Sequence, residues 1–542
     1  MTPDYTTWTN ADLIARVTEL EQQLRRQNTT HTRPTPSPAP PKKKPKKAFD
    51  PSRYHTRVIA LKFAYLGGNY NGFEHHNNNT TPLPTIEEEL WKALNKTKLI
   101  FPEDKGGERR GGGGGEEVCW EGVGYSKCGR TDRGVSAFGQ VVGVRVRSSR
   151  PKEKEKVKVE EEGESVGSGS AVPDAAEGEG EEKEKEWDHV RDELPYIQLL
   201  NRVLPPDIRV LAWCPDPAED FSARFNCKER RYRYFFTNPA FVPLPGSRPE
   251  SENGRPGEGW LDIKAMEQAA KKYEGLHDFR NLCKVDPSKQ IADFSRRIFH
   301  AGIHQVHSQE GIAADPSSPK LYYFEVRGSA FLWHQVRHLV AVLFLVGQGY
   351  ESPSIVDELL DIQKTPAKPH YEMASDTPLV LWDCIFPSAE EVARADHADG
   401  KPDQPSYTDA LNWIYVGDGV GGRDPAKRST TGVEDGKYGR NGIMDELWAL
   451  WRERKMDEVL ARSLMDVVAS SGHQPDAAKV SSADPAEKSA RLYDGGPVPR
   501  TVGPYTPLMQ RERMETPEVV NARYAARKGL LPANAVENRI GR

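Results

Sequence analysis

Alternating apolar and polar positions predict strands at several places along the chain. The segment RVIALKFAY, from residue 57, places four apolar side chains on one face: Ile59, Leu61, Phe63 and Tyr65. Farther on, valines alternate with arginines in the order Val142, Val144, Val146 against Arg145 and Arg147. The segment RRYRYFF aligns Tyr232, Tyr234 and Phe236, and LYYFEVRG is a further strand candidate. These patterns predict half-buried strands, one of them with a basic outer face.

Helices are indicated by apolar spacing together with capping residues. Thr85 begins the first helix, with Glu88 three residues later in capping-box position. Its apolar stripe consists of Ile86, Leu90 and Leu94. Asp262 is the predicted N-cap of a second helix, and Gly275 is its predicted C′ residue. Residues 331–347 predict a buried core helix, because their apolar run is too short to cross a membrane.

Segments of biased composition separate these elements. A Gly-rich stretch (GGERRGGGGGEE) lacks the Lys-Ser/Thr of a phosphate-binding loop, so we expect a flexible insert there. The predicted organisation is a disordered N-terminal region with a short helix and basic linker (1–52), a first domain (53–149), an acidic disordered insert (150–187), a second domain (188–390), an insert or linker with a helical part (391–500) and a basic C-terminal tail (501–542). The irregular order of strands and helices predicts an α+β fold, with two antiparallel or mixed sheets and helices packed on them.

Composition changes this picture in three ways. Only 37% of the 542 residues are hydrophobic and the mean hydropathy is −0.71, which fits a chain that is partly unfolded. The net charge is −5, but residues 151–190 hold 14 acidic residues against 6 lysines, so the remainder is mildly basic and permits RNA binding. Six cysteines without a CxxC pair disfavour a disulfide framework or a Cys-rich zinc site and fit a reducing compartment. No secretory signal or run of 18 apolar residues is present, so we expect no membrane association.

The densest polar cluster is CGRTDRGVSA, residues 128–137. Asp132 lies between Arg130 and Arg133, and Gly134 favours a tight loop that holds the carboxylate at a surface. A fixed, ionised carboxylate is suited to covalent catalysis. A surface turn with neighbouring charges explains the same spacing, so the pattern alone leaves both interpretations open.

The chain also resembles the tRNA pseudouridine synthase A family in four ordered motifs over roughly residues 57–390. These motifs are GRTDRGVSA, LKFAYLGGNYNGF, FSARFNCKERRYRYFF and FLWHQVRHLVAVLFLVG. The segment HDFRNLCKVD at 277–286 and the C-terminal tail are most similar to the eukaryotic enzymes that modify positions 38 and 39 of the tRNA anticodon stem-loop. The resemblance implies a pseudouridine synthase fold and isomerisation of uridine to pseudouridine, without an organic cofactor or metal.

By residue, the resemblance makes Asp132 the catalytic nucleophile, which attacks the target at C1′ of the ribose or C6 of the base. Tyr232 is implied to stack on the extracted base and to help remove the C5 proton. Arg337 is implied to pair with Asp132, which would match a charge within an apolar helix. Arg130 is assigned to phosphate contact or to the space that the base leaves.

Other interpretations remain open at this stage. A catalytically silent tRNA-binding or folding protein on the same scaffold, or a synthase with other RNA targets, are the alternative functions. His334 and His338 have the spacing of a metal pair, but Gln335 breaks the zincin pattern, and a polar helix face near RNA is favoured. Cys128 is interpreted as structural. The expected partners are tRNA and a second copy of the chain, and the basic segment from Lys42 to Lys47 is compatible with both nucleus and cytoplasm.

Overall fold

The computed structural model describes residue 16 and residues 49–76, 81–102, 118–152, 187–243, 247–249, 255–306, 319–397, 407–418, 436–440, 442–472 and 489–529. All elements below lie in the compact unit Asp50–Arg542. The predicted N-terminal helix apart from residue 16, the basic cluster, the Gly-rich insert and most of the acidic insert lie outside the described residues.

Within the described residues, ten strands form one mixed sheet, and two more form a separate antiparallel pair. The strands are β1 (Thr56–Tyr65), β2 (Ser126–Lys127), β3 (Ser136–Arg147), β4 (Ile208–Cys214), β5 (Glu229–Asn238), β6 (Gly275–Asp278), β7 (Ser295–Gln305), β8 (Lys320–Gly328), β9 (Leu379–Ile385), β10 (Ile414–Tyr415), β11 (Ala490–Leu492) and β12 (Arg500–Val502). The order in the large sheet is β10-β4-β1-β3-β9-β5-β8-β7-β6, with β2 paired to β3. Strands β11 and β12 pair with each other.

The helices pack against this sheet or extend from it. They are α1 (Ile86–Lys96), α2 (Tyr196–Asn201), α3 (Ile263–Lys271), α4 (Gln335–Gly347), α5 (Ile355–Leu360), α6 (Ala389–His397), α7 (Ile443–Ser470) and α8 (Pro517–Lys528). Short 3₁₀ helices cover Pro51–Arg53, Gly67–Asn69, Arg280–Leu282, Pro287–Lys289 and Leu508–Gln510. In the part of the chain that the structure describes, none of the helices combines the length and apolar character of a membrane span.

The predicted α+β class is confirmed, but the two predicted domains share a single sheet. Their halves meet where β3 pairs in parallel with β9, at Ser136↔Val380 and Ala137↔Leu381. Two apolar clusters form the core, one on each half of the sheet. Strand β4 pairs with β1, so residues from 188 to about 214 belong with the first half, although we expected them in the second domain. The predicted linker also supplies the edge strand β10.

Local sequence signals are realised in the first half. Thr85 and Glu88 form the predicted capping box: Glu88 N donates to Thr85 Oγ1 at 3.2 Å, and Thr85 N donates to Glu88 Oε2 at 3.5 Å. The stripe residues Ile86, Leu90 and Leu94 are completely buried. The apolar face of β1 is also buried, from Ile59 to Tyr65. Burial of these stripes fixes α1 on the sheet, next to the turn that follows β1.

Two predicted helix boundaries are wrong. Helix α3 begins at the predicted N-cap Asp262, whose side chain accepts from Ala265 N at 2.9 Å, but it ends at Lys271. Gly275 instead starts β6, with a φ of +111° that suits glycine. Helix α4 begins at Gln335 rather than at residue 331, because His334 takes a left-handed conformation and stops the helix from extending backwards.

Candidate active site

A cleft of about 1110 Å³ lies where the two halves of the sheet meet. One wall is the loop between β2 and β3, residues 128–135, which we call the Asp132 loop. The opposite wall is the N-terminal end of α4 with the preceding residues 330–334. Tyr232 of β5 and residues of the segment 284–296 also line the cleft. The four residues predicted for the site, Asp132, Tyr232, Arg337 and Arg130, all line this cleft.

Buried hydrogen bonds hold the Asp132 loop in place. The side-chain amide of Gln140, fully buried in β3, accepts from Gly129 N and donates to Gly129 O, each at 3.0 Å. The hydroxyls of Thr131 and Tyr65 share a hydrogen bond of 2.7 Å. The loop closes with Val135 N donating to Asp132 O at 3.2 Å. The Asp132 carboxylate remains 27% exposed and faces the cleft.

The Gly-rich turn after β1 packs directly on this loop. A Cβ added to Gly67 would lie 2.1 Å from Val135 O, a distance that no side chain tolerates. At the neighbouring Gly68, an added Cβ would meet nothing within 4 Å. Position 67 therefore requires glycine, because the backbone of the turn lies directly against Val135. This close approach positions the loop that carries the candidate nucleophile.

Sequence reasoning missed the closest ionisable partner of Asp132. His334 Nε2 lies 3.4 Å from Asp132 Oδ2, and the His334 side chain is only 9% exposed. His334 is the N-cap residue of α4, with φ +59°, and its Nδ1 is buried without a hydrogen-bond partner in the described structure. His338, which we expected on a polar helix face with His334, is instead buried and accepts a hydrogen bond from Lys368 Nζ at 2.9 Å.

The predicted ion pair between Arg337 and Asp132 is absent from the described residues. Arg337 Nε instead donates to Ala374 O at 2.7 Å, and its Nη2 lies 4.0 Å from Asp376 Oδ2. The argument that a buried arginine needs a matched charge therefore holds, but Asp376 supplies the charge. Arg337 is thus bound by residues 374–376, which precede β9 in the chain. No sequence signal identified this segment.

Tyr232 presents its ring to the cleft. It packs edge-on against Phe331, with ring centroids 5.1 Å apart. Burial raises the pKa of the Tyr232 phenol above its usual range, so the hydroxyl stays protonated even more readily than an ordinary phenol with a pKa of about 10. Phe331 is a second cleft residue that sequence reasoning missed.

Positive charge dominates the cleft. Of the described residues that line it, nine are cationic: Lys127, Arg130, Arg133, Arg224, Arg230, Lys284, Lys289, Arg296 and Arg337. Three of these described lining residues carry a carboxylate: Glu74, Asp132 and Asp286. Arg130 is 44% exposed at the rim and lies 3.2 Å from Glu74, which Lys127 also contacts at 3.0 Å. This balance favours an anionic ligand such as a nucleic-acid backbone.

Comparison with known proteins assigns the family. A domain model described as tRNA pseudouridine synthase matches residues 269–387. The tRNA pseudouridine(38/39) synthase of Saccharomyces cerevisiae is 38% identical over 401 residues, which are 71% of this chain and 72% of the yeast protein. The chain belongs to the tRNA pseudouridine synthase family. The family resemblance found in the sequence is thereby confirmed.

Other members of the family extend the match. The human tRNA pseudouridine(38/39) synthase is 41% identical over 383 residues, covering 69% of this chain and 66% of the human protein. The tRNA pseudouridine synthase A of Methanothrix thermoacetophila is 27% identical over 314 residues, covering 58% of this chain and 76% of that protein. The chain thus spans slightly less than two thirds of the human relative and 58% of the mouse relative.

Proposed function

We propose that this protein isomerises uridine to pseudouridine in tRNA, at positions 38 and 39 of the anticodon stem-loop. The observation that carries the proposal is a cation-lined cleft with Asp132 and Tyr232 on its walls, in a chain 38–41% identical to yeast and human proteins named tRNA pseudouridine(38/39) synthase. The cleft offers a carboxylate nucleophile, an aromatic surface and a basic rim.

In the proposed reaction, Asp132 attacks the target nucleotide at C1′ of the ribose or C6 of the base. The glycosidic bond between C1′ and N1 breaks, the uracil rotates while bound, and a new bond joins C1′ to C5. The bond between Asp132 and the nucleotide breaks in the course of the reaction, and its electron pair returns to the carboxylate. The C5 proton is lost and N1 gains a proton, so the product is an isomer of the substrate. No oxidant, reductant or water is consumed, and the proposal requires no organic cofactor.

Tyr232 is proposed to stack on the extracted base. Flipping a base out of its stack costs a few kcal/mol, and an aromatic surface offsets part of that cost. Because burial raises the pKa of Tyr232, its hydroxyl serves as a hydrogen-bond donor in this proposal rather than as a ready base for the C5 proton. The edge-on contact with Phe331 fixes the ring plane.

Three further residues are proposed to support the reaction. His334, 3.4 Å from the Asp132 carboxylate, orients the nucleophile. Arg337, held by Ala374 and Asp376, supplies positive charge on the α4 wall. Arg130, exposed at the rim, binds phosphate or fills the space that the base leaves. The remaining cations hold the RNA backbone through phosphate contacts.

The test is pseudouridine formation on unmodified tRNA that bears U38 or U39, with purified full-length protein and no added cofactor. We expect product at those positions, and we expect Asp132→Asn to abolish it while tRNA binding persists. Intact binding without product by the wild type would favour the silent binder instead. Product at other uridines would keep the enzyme but refute the assignment to positions 38 and 39. Mapping pseudouridine in cells that lack the protein makes the same distinction in vivo.

We also propose a homodimer that binds tRNA across both subunits, as the family resemblance implies. Light scattering of the purified protein with and without tRNA tests this, and a monomer in both states would refute it. Residence in both nucleus and cytoplasm is proposed from the basic segment between Lys42 and Lys47. Replacing those lysines with alanines should exclude a fluorescent fusion from the nucleus.

A further inference from the structure

Three cysteines far apart in the sequence meet beside the cleft. Cys128 begins the Asp132 loop, Cys227 lies two residues before β5, and Cys384 lies in β9. Their sulfur atoms all lie within 4.8 Å of one another. The three residues are 6%, 4% and 0% exposed, respectively, and all are free thiols. The absence of a CxxC pair had disfavoured a Cys-rich zinc site, yet the fold assembles a thiol cluster from separate segments.

We propose that Cys128, Cys227 and Cys384 form a three-thiolate binding site for a soft metal ion, with zinc(II) as the favoured occupant. Thiolates select soft or borderline ions such as zinc(II) and copper(I). A zinc–sulfur bond of about 2.3 Å places sulfur ligands roughly 3.8–4.0 Å apart. The observed limit of 4.8 Å is consistent with that spacing after small side-chain rotations.

Charge balance supplies an independent argument. The Arg230 side chain donates to carbonyl oxygens of Ser329, Arg224 and Cys128, at 2.8, 3.1 and 3.3 Å. Within the described ranges, the hydrogen-bond acceptors of this partly buried guanidinium are backbone carbonyls, and no carboxylate pairs with it. A positive charge therefore lies beside the three thiols, and thiolates bound to a metal ion would match it.

The same balance selects the ion. Three thiolates with zinc(II) carry one net negative charge, which Arg230 neutralises. Three thiolates with copper(I) carry two negative charges and leave one unmatched in a buried site, which is costly. Zinc(II) therefore fits this environment better. Its fourth position would be open to a small ligand from the cleft, since Cys128 lines the cleft and provides a route of entry.

A bound ion would act as a clamp on the catalytic machinery. It would tie the Asp132 loop to β9 and to the strand that carries Tyr232, and so join the two halves of the sheet next to the parallel contact between β3 and β9. This role is structural, because none of the three sulfur atoms needs to touch the reacting nucleotide. Zinc would accordingly raise the thermal stability of the protein, as any ligand that binds only the folded state does.

The test uses full-length protein, stripped of metal with a chelator under reducing conditions and then titrated with cadmium(II) as a spectroscopic probe. We expect a thiolate-to-cadmium charge-transfer band that saturates at a single equivalent and is displaced by zinc(II). The band should be lost in Cys128→Ser, Cys227→Ser and Cys384→Ser. It should persist in Cys214→Ser, a matched control, since Cys214 is buried in the same core but outside the cluster. Folded wild type without a saturable band would overturn the proposal and leave the cysteines as packing residues.

A second measurement covers variants that fail to fold. In the wild type, zinc(II) should protect Cys128, Cys227 and Cys384 from alkylation in mass spectrometry, while Cys214 and Cys283 react at unchanged rates. Equal rates with and without zinc would refute the site. If copper(I) protects the three cysteines and zinc(II) does not, the charge argument for zinc is wrong.

Discussion

The two walls of the cleft are built on opposite physical principles. The Asp132 loop is held by hydrogen bonds from buried polar groups, and its carboxylate stays partly exposed. Helix α4 is buried along its whole length, from Gln335 to Gly347. Hydrogen bonds fix direction, which suits a nucleophile, whereas apolar packing supplies the free energy that holds the opposite wall. Changes to the loop should therefore damage chemistry first, and changes to the helix should damage stability first.

The sharpest test of this comparison is Asp132→Asn. The substitution keeps the shape and removes the nucleophile, so we expect turnover to fall by at least about 10³-fold. The thermal melting temperature should hardly change, since the loop is anchored through Gln140 and Thr131 rather than through the carboxylate. Single-turnover pseudouridine assays and calorimetry measure the two effects.

Asp286→Asn is the matched control, because Asp286 also lines the cleft but caps a 3₁₀ helix at Pro287–Lys289. That variant should retain turnover within several-fold of the wild type. Equal losses in both variants would show that the cleft needs negative charge in general and would remove the special role of Asp132.

The opposite result is expected on the helix wall, with Leu343→Ala. Leu343 is completely buried in the core of the second half. Deleting its branched side chain should lower the free energy of unfolding by about 2–5 kcal/mol. Denaturant melts measure this loss, and turnover per folded molecule should stay within a few-fold. A large loss of turnover in protein that remains fully folded would contradict the division of roles between the two walls.

The local elements could be predicted from the sequence because their causes are local. The Thr85–Glu88 capping box needs only residues three apart, and the buried face of β1 needs only alternation. Asp132 was found through a motif whose residues are adjacent in the chain. The same local signals predicted the N-cap of α3 at Asp262.

The long-range geometry could not be predicted, since no local pattern encodes it. The parallel contact of β3 with β9 joins Ser136 to Val380, far apart in the sequence, and it merges two expected domains into one sheet. His334 comes next to Asp132 through the left-handed backbone conformation at His334. The sequence argument considered only charge matching between Arg337 and Asp132, so it could not predict this contact. The cysteine cluster depends equally on this merging of the two halves.

A smaller effect is expected where the turn after β1 supports the loop. In Gly67→Ala, the added methyl must push Val135 away, so we expect a loss of about 1–3 kcal/mol in unfolding free energy. Because Val135 closes the Asp132 loop, turnover should fall as well. Gly68→Ala is the control, with open space around the added methyl. Equal behaviour of the two variants would show that the turn does not position the loop.

The smallest effect concerns the pH dependence of the helix wall. His338 is buried in α4, accepts from Lys368 Nζ at 2.9 Å and packs edge-on against Tyr371. Burial, together with the nearby charges of Lys368, Arg337 and Lys284 and of His334 when protonated, lowers the pKa of His338 to about 2. His338 is therefore neutral in the folded protein at mildly acidic pH, whereas in the unfolded chain it becomes protonated below about pH 6.5.

Stability should accordingly fall as the pH drops below about 6.5, by roughly 1.4 kcal/mol per pH unit from this residue. Glutamine at this position can still accept a hydrogen bond from Lys368 but cannot titrate. His338→Gln should therefore weaken the dependence of the unfolding free energy on pH, in a window from roughly pH 6.5, the ordinary histidine pKa, down to about pH 5. Lys368, whose pKa is lowered to about 8, stays charged throughout that window. If His338→Gln keeps the wild-type slope, the folded protein must accommodate the His338 proton, and the α4 wall is less rigid than its burial indicates.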